Sequence, residues 1–134
     1  MLLVEDNPTD EFVVKEVLDG CGLNLDPHVV RNGQDALRYL QALEQDGKAA
    51  CPALVLLDLN LPKVSGLEIL KALRKSLRCS RTPVIVVTSS SAETDRYAAK
   101  QLGAEGYFQK PTDLASYMEL AELIKRVLEI QEES

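Results

Sequence analysis

The sequence predicts an α/β fold: a parallel sheet with helices on both faces. Two observations carry this reading. Short apolar runs alternate with longer stretches of helical periodicity five times along the chain, the pattern of repeated β-α units. The third and fourth runs, ALVLLD (53–58) and PVIVVT (83–88), are apolar almost throughout, which suits strands covered on both faces.

The elements follow in order. LLVE (2–5) reads as a strand ending in acid, and Asn7-Pro8 supplies an N-cap and a first helical residue. The helix that follows carries Phe12, Val13, Val17 and Cys21 as its apolar positions, with Gly20 and Gly22 as stop signals. HVVR (28–31) is the second strand. Asn32-Gly33 turns the chain into a helix with Ala36, Leu37, Leu40 and Leu43 on one face. Residues 45–52 form a polar, small-residue loop before the third strand. Leu67, Leu70, Leu73 and Leu77 stripe a third helix, and Ser89 to Ser91 open a fourth that stops near Gly103. GYFQ (106–109) is a short fifth strand ended by Pro111. Thr112 and Asp113 offer a cap for a last helix reaching about Gln131.

The chain of 134 residues is expected to form one domain, 1–134, with its own core. Its net charge of −6 argues against a direct nucleic-acid binder, which would show a basic footprint. No apolar run reaches the roughly 18 residues needed to span a membrane, and the start lacks the basic region of a signal peptide. The three cysteines, Cys21, Cys51 and Cys79, are an odd number without metal-like spacing, so reduced thiols in a cytoplasmic protein are expected. The lone His28 lies in a strand pattern and is not assigned a catalytic or metal role. The first strand begins at Met1, so the natural strand is expected to start earlier, in a chain trimmed or given a mis-set start.

In doubly wound sheets the ligand site lies beyond the carboxyl ends of the strands. There strand one delivers Glu5 and Asp6, strand three Asp58, strand four Thr88 and strand five Lys110. Three converging carboxylates repel one another; at about 4 Å and an effective dielectric near 20, one pair costs roughly 4 kcal/mol. A cation among them resolves the conflict. Mg²⁺ suits the set, because it takes carboxylate oxygens and usually binds beside a phosphate. The main-chain carbonyl of Asn60 is a further candidate ligand. Asp58 beside such a metal can act as a nucleophile toward phosphorus, with the Lys110 cation and the Thr88 hydroxyl as partners for the phosphoryl oxygens. Small Ser89 lets the backbone approach the group. Taken singly, each residue has a plainer reading: helix caps, a turn former before Pro62, a strand threonine, a surface lysine. Those readings leave unexplained why all of them end the correct strands.

Across essentially its whole length the sequence resembles the receiver domain of two-component response regulators. The resemblance rests on the acidic pair Glu5-Asp6, on Asp58 with Pro62 and Gly66 four and eight residues on, on Thr88, and on Lys110-Pro111 preceded by Tyr107. It implies a flavodoxin-like doubly wound (βα)5 fold with strand order 2-1-3-4-5. It implies phosphotransfer from a sensor histidine kinase onto Asp58, with Mg²⁺ held by Glu5, Asp6, Asp58 and the Asn60 carbonyl, and self-catalysed hydrolysis of the acyl phosphate. It implies a cis Lys110-Pro111 bond. It implies a switch in which Thr88 swings toward the phosphoryl group and Tyr107 turns inward, reshaping the face of the fourth helix, fifth strand and last helix. The protein would thus be a signalling switch rather than an enzyme acting on a separate substrate.

VEDNPTD, VVRNGQDALRYL, LLDLNLP and VVTSSS further resemble the stand-alone regulators paired with bacterial phytochromes and similar sensor kinases. In two places the chain departs from many relatives: Leu61 stands where they have Met, and Lys63-Val64-Ser65 lacks their acidic residue before the Gly. The last helix carries Tyr117, Leu120, Leu123, Ile124, Val127, Leu128 and Ile130, more than one stripe needs, so a partner or homodimer surface is expected there. A second reading makes the chain one piece of a larger regulator. A phosphatase of the haloacid-dehalogenase type fits poorly, because Asn60 cannot protonate a leaving group.

Overall fold

The computed structural model describes residues 1–20, 22 and 25–133, with side chains through 129. Strands β1 (Leu2–Val4), β2 (His28–Val30), β3 (Val55–Leu57), β4 (Val84–Thr88) and β5 (Gly106–Gln109) form one parallel sheet in the order β2-β1-β3-β4-β5. The helices are α1 (Pro8–Gly20), α2 (Gly33–Gln45), α3 (Gly66–Arg74), α4 (Glu93–Gln101), α5 (Leu114–Tyr117) and α6 (Glu119–Glu133). The doubly wound architecture and strand order expected from the sequence are present.

Strand side chains alternate between two cores, because the strand period is two. Leu2, Val4, Val55, Leu57, Val84 and Val86 meet α2, α3 and α4 on one face. Leu3, Leu56, Ile85 and Val87 meet α1 and α6 on the other. Both interiors are largely aliphatic, and burial of this apolar surface is the main stabilising term.

The local signals work as chemistry. Asn7 Oδ1 accepts the backbone N–H groups of Thr9 and Asp10 at 2.9 and 3.1 Å, capping α1. Asn32 caps α2 through the Asp35 N–H at 2.8 Å, and Asp113 caps α5 through the Ser116 N–H at 2.8 Å. Gly103, with φ of 80°, closes α4 in the left-handed conformation that glycine adopts without strain.

Several expectations are corrected. In α1 the buried residues are Val14, Val17 and Leu18, while Phe12 is 64% exposed. The inward stripe runs at i, i+3 and i+4 from Val14, and Phe12 falls on the opposite side. Cys21 lies outside the described residues. Leu77 is 94% exposed because α3 already ends at Arg74. The Arg74 guanidinium donates to the carbonyls of Ser80, Thr82, Leu102 and Gly103 at 2.7–3.1 Å, tying the end of α3 to the approach to β4 and the end of α4. The fourth helix opens at Glu93 rather than within 89–91. The last helix is broken at Met118 into α5 and α6. No cis peptide bond occurs among the described residues, so Lys110-Pro111 is trans, the intrinsically preferred isomer.

The cysteines are the clearest correction. Cys51 and Cys79 form a disulfide, with a Cα–Cα distance of 5.6 Å inside the normal bridging range. A spacing of 28 residues carries no pairing signal. The α3 crossover returns the chain to the sheet end where β3 begins, and that return sets the two residues side by side. Arg78 braces the same corner by donating to the carbonyls of Leu43, Asp46 and Ala49.

Candidate phosphoacceptor and metal site

The register of the sheet builds the site. Val4 pairs with Leu57, and Leu57 with Val86, so the residues just beyond them emerge together. Glu5 donates its N–H to Val30 and Asp58 to Val4, extending both strands to the acids themselves. Glu5 is 2% exposed and Asp58 5%, whereas Asp6 faces solvent. Glu5, Asp6 and Asp58 each present a carboxylate oxygen within 4.8 Å of the others. This hard, all-oxygen donor set fits a divalent cation such as Mg²⁺ or Mn²⁺.

Lys110 reaches into the same cluster. Its Nζ lies 2.7 Å from Glu5, 2.8 Å from Asp58 and 2.7 Å from Asp10. The lysine side chain is 8% exposed. Burial works against the ammonium, but the bonds to Asp10, Asp58 and Glu5 outweigh it and hold the pKa above the ordinary lysine value. For Asp58, burial pushes the pKa up, but Lys110 and the Asn60 N–H prevail and lower it, so the carboxylate stays ionised. The Asn60 N–H donates to Asp58 Oδ1 at 3.0 Å. Glu5 takes the opposite course: burial and the neighbouring Asp58 outweigh Lys110 and raise its pKa to about 7.

The loop after Asp58 is shaped by missing side-chain atoms. A Cβ on Gly66 would run into the Asp58 carbonyl and the Leu59 Cα, and one on Gly33 into Val64. Between them Lys63 adopts φ of 69°, an unusual conformation for a residue with a side chain. The Gly66 N–H closes the loop on the Leu59 carbonyl at 3.0 Å.

Thr88 is fully buried at the end of β4. Its hydroxyl accepts the Ser90 N–H at 3.3 Å and the Asn60 side-chain amide at 3.4 Å. Tyr107, half-buried on β5, donates its hydroxyl to the Ser90 carbonyl at 3.0 Å, with the Arg96 guanidinium 4.4 Å over its ring. Sequence reasoning missed two participants. Asp10 is the third residue of α1, and only the placement of that helix turns it toward Lys110. Tyr117 is buried close by with no hydrogen-bond partner for its hydroxyl among the described residues; burial, then the Asp10 charge, pushes its pKa to about 12.

Comparison with known proteins agrees with this geometry. Residues 1–125 match the family described as response regulator receiver domain. The chain is 34% identical over 125 residues to the response regulator Rcp1 of Synechocystis sp., covering 93% of this chain and 85% of that one. Among solved structures, the phosphorylated cyanobacterial phytochrome response regulator RcpA superposes with a TM-score of 0.80 at 33% identity, covering 93% of this chain and 89% of that one. The Mn²⁺-bound form of response regulator Rcp1 superposes with a TM-score of 0.80 at 34% identity, over 92% and 89% of the two chains. With an acidic cluster at the carboxyl end of a β2-β1-β3-β4-β5 sheet and a lysine bridging it, the chain belongs to the response regulator receiver domain family.

Proposed function

We propose that residues 1–134 act as a single receiver domain that takes a phosphoryl group from a sensor histidine kinase on Asp58. The observation that carries this reading is the convergence of Glu5, Asp6 and Asp58 with Lys110 Nζ 2.8 Å from the Asp58 carboxylate. An Asp58 oxygen attacks phosphorus, the N–P bond of the kinase phosphohistidine breaks, and an acyl phosphate forms. Asp58 is ionised and needs no general base. Lys110 offsets charge on the phosphoryl oxygens, and the Thr88 hydroxyl is a further donor for them. Glu5, Asp6, Asp58 and the Asn60 carbonyl would hold Mg²⁺, which supplies electrostatic stabilisation of the transferring group.

Thr88 and Tyr107 are the proposed switch, acting on the face of α4, β5 and α6. The reading gives the chain no catalytic role beyond phosphotransfer onto itself and self-dephosphorylation. Likeness to the cyanobacterial phytochrome response regulator RcpA supports a phytochrome-type sensor kinase as the partner. A cytoplasmic location is part of this proposal, and among the described residues no helix is long and apolar enough to cross a membrane. The switch face is also the proposed homodimer surface. Part of the apolar excess of the last helix is already used, since Leu123 lies against Gly106 of β5 and Leu128 is partly buried against the core. The side chain of Ile130 lies outside those described. A monomer in sedimentation, with and without phosphorylation, would count against dimerisation.

The test of the site is labelling with acetyl phosphate, with and without Mg²⁺, on the wild type and Asp58→Asn. Metal-dependent, hydroxylamine-labile labelling that vanishes in the variant supports Asp58 as acceptor. Labelling that persists in the variant overturns it.

A further inference from the structure

Two overlapping sets of carboxylates meet at this site. The cation set is Glu5, Asp6 and Asp58. The lysine set is Glu5, Asp58 and Asp10, at 2.7, 2.8 and 2.7 Å from Lys110 Nζ. Glu5 and Asp58 belong to both. Asp6 serves only the cation and Asp10 only the lysine. An ammonium has three N–H donors; here Asp10 and Asp58 each accept a hydrogen bond and Glu5 is a third carboxylate within ion-pair distance.

The overlap creates a conflict. A divalent cation and an ammonium on the same two carboxylates repel each other, most strongly where burial has removed water from between them. A lysine with no other partner would hold Glu5 and Asp58 against the incoming metal. Asp10 changes that balance. It stands in the first turn of α1, its N–H pinned to Asn7 Oδ1 at 3.1 Å, with its side chain 25% exposed at the rim. The capped helix start fixes its backbone, so its carboxylate is presented to Lys110 from a fixed point of the chain.

We propose that Asp10 is a positioning residue that keeps a carboxylate in reserve for Lys110, so that Glu5 and Asp58 can turn to a divalent cation while the lysine stays beside the phosphoacceptor. The inference rests on the receiver reading of the site and deepens it. Asp10 acts through Lys110 and is not itself a ligand of the metal.

The competing account is that Asp10 helps the cation by its own negative field. A double-mutant cycle separates the two. Mg²⁺ affinity is measured by calorimetry at pH 8 on the wild type, Asp10→Asn, Lys110→Met and the double variant, with circular dichroism confirming each fold; Lys110→Gln replaces the methionine variant if that one fails to fold. Asp10→Asn is expected to weaken Mg²⁺ binding about fivefold or more when Lys110 is present, and less than about twofold when it is absent. Asp10→Glu should restore the affinity. A second readout does not depend on affinity. The Lys110 ammonium, followed by ¹⁵N NMR, should stay protected from exchange on adding saturating Mg²⁺ to the wild type and lose protection in Asp10→Asn. Equal weakening with and without Lys110 would overturn the proposal in favour of a direct field effect. Unchanged affinity and unchanged ammonium protection in Asp10→Asn would overturn it outright. A wild type that binds no Mg²⁺ would instead overturn the receiver reading itself, and this inference with it.

Discussion

Thr88 and Tyr107 meet at the backbone of one residue. Ser90 donates its N–H to the Thr88 hydroxyl at 3.3 Å and accepts the Tyr107 hydroxyl on its carbonyl at 3.0 Å. The Ser90 side chain continues the chain of contacts, donating to Asp95 Oδ2 at 2.6 Å and accepting the Ala92 N–H at 3.2 Å. Ala92, at the cap of α4, offers no capping side chain, and Ser90 instead ties the cap residue's N–H and the Asp95 carboxylate together. A change at Thr88 therefore has a path to both the tyrosine and the start of α4 through a single residue, Ser90.

This linkage predicts that Thr88→Val uncouples the switch without removing the acceptor. Acetyl phosphate should still label Asp58 in the variant, while the phosphorylation-dependent shifts of the Ser90 and Tyr107 amides in NMR spectra shrink. Tyr107→Phe removes one hydrogen bond, worth about 0.5–1.5 kcal/mol, from the unphosphorylated arrangement. It should move the Ser90 amide toward its phosphorylated position before any phosphodonor is added. A Ser90 signal unaffected by either substitution would contradict the shared linkage.

Glu5 predicts the pH dependence of the metal-free protein. Its pKa rises from 4.5 to about 7 on folding, so the folded state binds its proton more tightly than the unfolded chain does. That contribution is fully present below about 4.5 and is lost as pH rises through about 7. Asp58 works in the opposite sense, since its lowered pKa adds stability that disappears only as pH falls through the acid range. In chelator, the melting temperature should therefore fall between about pH 5 and pH 7.5. Mg²⁺ affinity should rise over the same interval as Glu5 gives up its proton. Glu5→Gln should flatten the chelator profile, and a profile unchanged by that substitution would assign the slope elsewhere.

Gly66 predicts a steric cost beside the acceptor. Gly66→Ala places a methyl group against the Asp58 carbonyl and the Leu59 Cα, neither of which is a flexible side-chain end. Denaturant unfolding should show a loss of about 2–4 kcal/mol. The label on Asp58 should also slow, because the displaced backbone carries the acceptor. Gly47, whose added Cβ would meet nothing within 4 Å, is the matched control.

The Cys51–Cys79 bond closes a loop of 28 residues. Chain-entropy arguments give such a crosslink about 3.5 kcal/mol at 25 °C. Reduction with a thiol reagent, or Cys51→Ser with Cys79→Ser, should lower the melting temperature by about 10 °C. Labelling of Asp58 should persist, because the bond lies at the opposite end of the sheet from the carboxylates. Mass spectrometry of the alkylated protein before and after reduction reads the bond directly.

The sequence carried the fold and most of the site because both depend on local signals. Apolar runs at 53–58 and 83–88 mark central strands, and a residue that ends a parallel strand must arrive at one edge of the sheet. Glu5, Asp58, Thr88 and Lys110 were legible for that reason. What escaped depends on how helices dock. Asp10 reaches Lys110 across 100 residues of sequence, and Arg74 reaches Leu102 and Gly103 across 28 and 29. Cys51 and Cys79 are joined by a crossover whose direction no short window contains. Phe12 misled because a three- and four-residue spacing finds a stripe without saying which of two neighbouring stripes faces inward. The break at Met118 lies where Asp113 caps a single short turn, which a continuous apolar pattern conceals.

Arg74 anchors one end of α4 by holding the carbonyls of Leu102 and Gly103 at 3.0 and 2.8 Å. The other end hangs on Ser90 through the Ala92 N–H and Asp95. If Thr88 moves as proposed, the helix would act as a lever pivoting at the guanidinium. A displacement begun at Thr88 would grow toward the start of α4 and fade toward Gly103. Tyr97, 66% exposed midway along α4, would be carried with it. A partner gripping the first turns of α4 would feel the phosphoryl group, and one gripping only its last turn would not.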